Sequence, residues 1–323
     1  MGGVPVQAVL GAHGQRARNA LRPPLFDLGG PYDVILVAGM GRSGTTWIAT
    51  LMNCDGSYRV LFEPFHPEQV EAARKFQIMQ YMHPEAEDTE LESAANAIIR
   101  GDVRSEWIDR DNRRIFYRRR IVKDIRCNLM LGWLQKIAGD APVVLTLRHP
   151  LQIALSWARL GWGRYESVGQ DDLEIILSQE PLHHDFPLID EVFRRTQPHS
   201  FAERVVFQWC VYYLVPLHHL RSGEAHATFY EGLILNPDDE LQQLTRYLGK
   251  SIDAVGMSAA VSAPSSTNFL QRDFASDKHA LVNGWQQAFS KDEIRRANDI
   301  LAQFGLDELY DAEGLPAVRP IFR

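Results

Sequence analysis

The run Gly39-Met40-Gly41-Arg42-Ser43-Gly44-Thr45-Thr46 constrains this chain more than any other stretch. It follows Val34-Ile35-Leu36-Val37-Ala38, a short apolar run of the kind that forms a buried parallel strand, and it precedes a helical pattern from Thr45 to about Asn53. Glycines in such a strand-to-helix turn let successive backbone N–H groups converge on a phosphate at the helix N-terminus.

A second unit has the same form. Val143 to Leu147 leads through Arg148 and His149 into Pro150, whose fixed φ suits the first turn of a helix continuing to Leu160. Further strands are expected at Tyr58 to Phe62, Ile115 to Val122 and His226 to Tyr230, and helices at Leu241 to Leu248 and Lys291 to Phe304. Strands interleaved with helices predict an α/β fold with a P-loop-like central parallel sheet flanked by helices on both faces. The stretches Glu85 to Glu92 and Gly161 to Pro198 read as insertions. No repeat or linker interrupts the chain, which predicts a single domain over residues 31–323 after an N-terminal extension of residues 1–30.

With 323 residues, 45% of them hydrophobic, the chain can bury one large core. A net charge of -7 argues against a surface built for nucleic acid or an anionic membrane, so any anion must be held locally. Cys54, Cys127 and Cys210 lack metal-ligand spacing and an even count, which fits a reducing, cytoplasmic compartment. The apolar stretches fall well short of the roughly 20 residues that span a bilayer. Arg16, Arg18 and Arg22 without acids raise a transit-peptide reading, but no hydrophobic signal core accompanies them, and Val6 breaks the myristoylation pattern after Gly2.

The loop has the spacing of the nucleotide triphosphatase motif, except that Thr45 stands where that motif has Lys, so an ATP kinase or triphosphatase is disfavoured. Arg42-Ser43-Gly44-Thr45-Thr46-Trp47 resembles the 5′-phosphosulfate loop of sulfotransferases that use 3′-phosphoadenosine 5′-phosphosulfate (PAPS). Arg42 occupies the position where cytosolic members often carry Lys and carbohydrate-type members commonly carry Arg. The resemblance implies that Gly41, Arg42, Ser43, Gly44, Thr45 and Thr46 hold the donor. It makes Trp47 either a ring flanking the adenine or a core tryptophan of the first helix.

The donor carries a second anion, the 3′-phosphate, and the chain must grip it elsewhere. Arg148 ends the second strand and Ser156 lies about two turns into the helix that starts at Pro150, a span of roughly 9 Å at 1.5 Å per residue, so a guanidinium reaching along the helix could share an anion with that hydroxyl. Leu147-Arg148-His149-Pro150 followed by Ser156 resembles the family's 3′-phosphate motif. Ser265 to Asn268 with Arg272, and then Trp285, loosely resemble the C-terminal segment of carbohydrate-type members; Arg272 is a further donor contact or a solvated arginine.

Sulfuryl transfer needs an in-line nucleophile, a base and cations, and in principle no metal. Lys123 ends a predicted strand and matches the family's central lysine, but Ile125 replaces the catalytic histidine of cytosolic members. Phe62-Glu63-Pro64 resembles the Glu-Pro pair of carbohydrate-type members, which makes Glu63 the preferred base, activated by desolvation; a surface carboxylate or a salt bridge to Arg126 is the alternative, and His66 or Asp124 could substitute. Arg42, Lys123 and the loop N–H groups would hold the developing charge. Phe229-Tyr230-Glu231-Gly232 reads as structural, and the basic run Arg113 to Arg120 as a solvated hairpin. The resemblance thus implies a PAPS-dependent transferase acting on a hydroxyl or amine of a small-molecule or carbohydrate acceptor, its pocket shaped by Gly161 to Pro198 and Glu68 to Asp102. A nucleotide or sugar kinase, or a non-catalytic nucleotide-binding module, is the competing reading.

Overall fold

The computed structural model describes residues 24–31, 33–162, 172–249, 252–261 and 278–322. Among the described residues there are seven strands: β1 (Phe26–Asp27), β2 (Val34–Ala38), β3 (Tyr58–Phe62), β4 (Phe116–Tyr117), β5 (Arg119–Asp124), β6 (Val143–Leu147) and β7 (Ala225–Phe229). Five form one sheet in the order β3-β5-β2-β6-β7, with every neighbouring pair parallel. From β2 the chain crosses first to one side, through β3 and β5, and then to the other, through β6 and β7. Their carboxyl ends therefore flank a topological switch point, where open α/β sheets place ligands.

The apolar run of β2 explains its central position. Val34, Leu36 and Ala38 enter one core cluster, while Ile35 and Val37 enter the other. Period-2 alternation sends successive side chains to opposite faces, so a strand covered on both must be apolar throughout. Helices α1 (Thr45–Met52), α2 (Tyr230–Leu235) and α3 (Pro237–Leu248) pack on the face of Ile35 and Val37. The opposite face carries Pro150–Leu160 and the 19-residue helix Phe201–His219, nearly all of which is buried.

The expected strand Ile115 to Val122 is divided. Phe116–Tyr117 pairs with β1 in a separate two-stranded parallel sheet, and the central-sheet strand begins at Arg119. The basic run is accordingly no hairpin, since its two strands pair in parallel with different partners, but three of its five arginines are exposed. Arg120 is buried and donates from Nε to Asp27 at 2.7 Å, Arg119 stacks 4.5 Å over the Tyr58 ring, and of the three exposed arginines Arg113 and Arg114 border a cavity while Arg118 does not. Arg59, fully buried, binds Asp27 at 3.0 Å and Asp109 at 2.8 Å, so the small sheet is tied to β3 and β5 by buried ion pairs.

Candidate active site

Each strand of the central sheet delivers its following residues to one cleft of about 450 Å³. Gly41, Arg42 and Gly44 to Trp47 come from the turn after β2, Glu63 follows β3, and Lys123, Ile125 and Arg126 come from the end of β5. Arg148 follows β6 and Tyr230 follows β7.

The loop is shaped from beneath. The Ser43 hydroxyl shares a 2.7 Å hydrogen bond with Thr146, its N–H donates to the Met40 carbonyl, and the Tyr213 hydroxyl donates to the Thr146 carbonyl. Ser43 is thus buried and its side chain does not line the cleft, although the sequence placed it with the donor contacts; its N–H is spent on the turn and its hydroxyl on Thr146 of β6. Gly44 caps α1 with φ of 103° and no side-chain cap, which leaves the first N–H groups of the helix open toward the cleft. A Cβ at Gly44 would stand 2.9 Å from the Tyr230 ring. Arg42, with φ of 75°, and Glu63, with φ of 43°, both adopt left-handed backbone. Such conformations cost a non-glycine residue about 1–3 kcal/mol and cluster at functional sites.

Arg148 is buried and binds two backbone carbonyls, those of Arg42 at 3.1 Å and Leu281 at 3.0 Å. Its guanidinium lies 4.0 Å over the Tyr230 ring, and its Nε has no hydrogen-bond partner. No carboxylate forms an ion pair with it among the described residues. Arg42 donates from Nε to the Ser156 hydroxyl at 3.1 Å, so that hydroxyl meets Arg42 before any anion arrives. Burial and the neighbouring Arg148 both push the Arg42 guanidinium below its ordinary value. Two desolvated cations so close together leave positive charge available to an anion at each guanidinium. Behind them, the His149 ring stacks on Trp285 at 4.3 Å, the His149 backbone N–H donates to Glu231 at 2.9 Å, and the Trp209 indole N–H donates to the Arg148 carbonyl at 3.0 Å. The arginine is fixed from its backbone outward.

At the other end, Glu63 accepts from Lys123 at 2.7 Å and from Arg126 at 2.8 Å. Burial alone would raise its carboxyl, but Lys123 and Arg126 outweigh it, and the net shift is downward. Desolvation therefore does not raise its proton affinity, contrary to the sequence expectation. Lys123 also sits 4.5 Å from the Phe62 ring centroid. Neither proposed substitute lines the cleft. Asp124 is fully buried and accepts from the N–H groups of Phe65 and Arg126, and His66 packs edge-on against Trp107.

Trp47 is buried in the core of α1, as its core reading expected, and it also lines the cleft with its ring 5.6 Å from Tyr230. Tyr230 itself is a wall of the cleft rather than only structural. Trp107, Trp162, Gln152 and Arg159 also line it, without any sequence signal beyond residue type. Of the segments expected to shape the acceptor pocket, residues 68–102 contribute nothing to the cleft and Trp162 is the described contribution from the other. Arg272 and the Ser265 to Asn268 stretch lie outside the described residues. Among the described residues no cluster of His, Cys, Asp or Glu is arranged to hold a metal ion, and no helix is long and apolar enough to cross a membrane.

A parallel sheet with a phosphate loop at its switch point and a cationic cleft beside it defines a phosphate-loop α/β protein. The family model described as "Sulfotransferase family" matches residues 34–254, and the chain belongs to that family. No curated protein matches it. Among solved structures it is similar to the sulfotransferase domain from the curacin biosynthetic pathway, at 14% identity over 87% of this chain and 99% of that one, with a TM-score of 0.47. Mouse sulfotransferase SULT7A1 complexed with PAP aligns at 13% identity over 85% of both chains, with a TM-score of 0.47. The Mycobacterium avium sulfotransferase STF9 aligns at 14% over 93% of this chain and 80% of that one, with a TM-score of 0.42.

Proposed function

We propose that the protein transfers a sulfuryl group from PAPS to a hydroxyl or amine of its acceptor. The observation that carries this reading is the buried Arg148, with no carboxylate partner among the described residues, facing the same cleft as the uncapped start of α1. One anion site takes the 5′-phosphosulfate at Gly41, Arg42 and Gly44 to Thr46, and the other takes the 3′-phosphate at Arg148 with Ser156. Trp47 and Tyr230, which line the same cleft with their rings 5.6 Å apart, are the aromatic faces on which the adenine would pack.

In the reaction, the acceptor oxygen or nitrogen forms a bond to sulfur as the bond from sulfur to the 5′-phosphate oxygen breaks. The electron pair leaves with the nucleotide, and the acceptor proton passes to Glu63. Lys123 turns from Glu63 toward the bridging oxygen as charge develops there, which releases one carboxylate oxygen for the proton. Arg126 keeps the other. The missing lysine at Thr45 weighs against ATP chemistry.

The test is incubation with sulfur-labelled PAPS and a panel of hydroxyl and amine acceptors. Transfer of label with release of 3′-phosphoadenosine 5′-phosphate is expected. Magnesium-dependent turnover of ATP with no transfer from PAPS would overturn the reading.

A further inference from the structure

We propose that a second cavity, joined to the cleft at the catalytic end, binds an anionic group of the acceptor, so that the substrate is an acid bearing a carboxylate, sulfate or phosphate ester besides its reacting group. This rests on the sulfotransferase reading and adds to it the substrate class. The cavity measures about 350 Å³ and shares Thr46, Phe62 and Lys123 with the cleft. A molecule whose nucleophile stands beside Lys123 and Glu63 can therefore extend into it between α1 and β3.

Its far wall is cationic. Arg113 and Arg114 line it, and their successive backbone N–H groups both donate to the buried Tyr117 hydroxyl, at 2.9 and 2.8 Å. That fixes the turn from which both guanidiniums project. The Arg113 guanidinium binds the Arg110 carbonyl at 3.1 Å, and that of Arg114 binds the Asp55 carbonyl. Each thus uses one of its five N–H donors on backbone, and neither is in an ion pair among the described residues. Arg114 lies over Gly56, where a Cβ would touch its Nε at 3.5 Å. Asp111 is the one carboxylate lining the cavity, against two guanidiniums. The other polar walls are already engaged: the Asn53 side chain brackets the Tyr58 backbone, and the Thr50 hydroxyl donates to the Thr46 carbonyl. The Asp55 carboxylate bears on Arg114 from outside the lining, and an incoming anion meets two fork-shaped donors with most of their N–H groups unspent.

The probes are 4-nitrophenyl β-D-glucuronide and 4-nitrophenyl β-D-glucoside, which differ in a single carboxylate, titrated into the full chain with and without 3′-phosphoadenosine 5′-phosphate. The wild type is expected to bind the glucuronide about tenfold more tightly, as charge-assisted hydrogen bonds to two exposed guanidiniums allow. Arg113→Gln with Arg114→Gln should remove the preference, and Arg113→Lys with Arg114→Lys should keep only part of it, since an ammonium supplies the charge without the fork. Equal affinity for the two probes in the wild type, or a preference that survives the glutamine pair, would overturn the proposal. A nucleotide that fails to bind would count against the sulfotransferase reading instead, because the probe titration without nucleotide still reports on the subsite.

Discussion

At the scale of single residues, charge is concentrated where the protein alone does not neutralise it. Arg148 exemplifies this, since its two carbonyl contacts orient the guanidinium without cancelling it. Arg148→Ala is expected to weaken PAPS binding by about 2–3 kcal/mol, the worth of a hydrogen bond to a charged group and more, while adenosine 5′-phosphosulfate loses far less. Calorimetry with both ligands checks this, and equal losses would remove the 3′-phosphate from that site. Glu63→Gln should lower kcat by about a hundredfold or more, the usual contribution of a general base, with donor affinity nearly intact. It also leaves Lys123 and Arg126 without their buried anion, so the melting temperature falls and turnover must be read per folded molecule. Because those cations hold the carboxyl below its ordinary 4.5, the Glu63 limb of the rate–pH profile lies on the acid side of that value. An acid limb near neutrality that disappears in the glutamine variant would contradict the assignment.

At the scale of elements, what was legible depended on whether a segment's environment is uniform. β2 and β6 announced themselves as short apolar runs because both of their faces are covered, and the loop and Pro150 marked where two helices begin. The helix Phe201–His219 gave no amphipathic period because it is buried nearly all round. The division between β4 and β5 was hidden because Arg120 reads as a surface residue until Asp27 arrives from far along the chain. Trp107, Trp162 and Tyr230 enter the cleft by tertiary packing, which no local pattern encodes. The turn before α1 also makes its own prediction. Gly44→Ala combines a left-handed φ with a 2.9 Å approach to the Tyr230 ring, so it should displace the loop and reduce nucleotide affinity at least tenfold. An alanine variant with wild-type affinity would show that the turn tolerates a side chain.

At the scale of the whole molecule, the support behind Arg148 is pH-sensitive. Glu231 is fully buried, holds the His149 N–H through one oxygen, has no partner for the other, and its carboxyl is pushed up to about 7 by burial. A raised folded-state value means that its stabilising contribution is complete below the ordinary 4.5 and fades as pH rises through about 7. The loss is at most about 3 kcal/mol at roughly 1.4 kcal/mol per pKa unit. Urea unfolding at pH 5 and pH 8 should show the decline in the wild type and a smaller one in Glu231→Gln, whereas an identical decline in both would assign it elsewhere. The central claim is that two anion sites at the carboxyl edge of one sheet grip opposite ends of one nucleotide. Calorimetric affinities of 3′-phosphoadenosine 5′-phosphate, adenosine 5′-phosphate and adenosine 3′-phosphate test it most directly. The bisphosphate should bind at least about a hundredfold more tightly than either monophosphate, as two charge-assisted sites require; a bisphosphate that binds no better than one of them would contradict it.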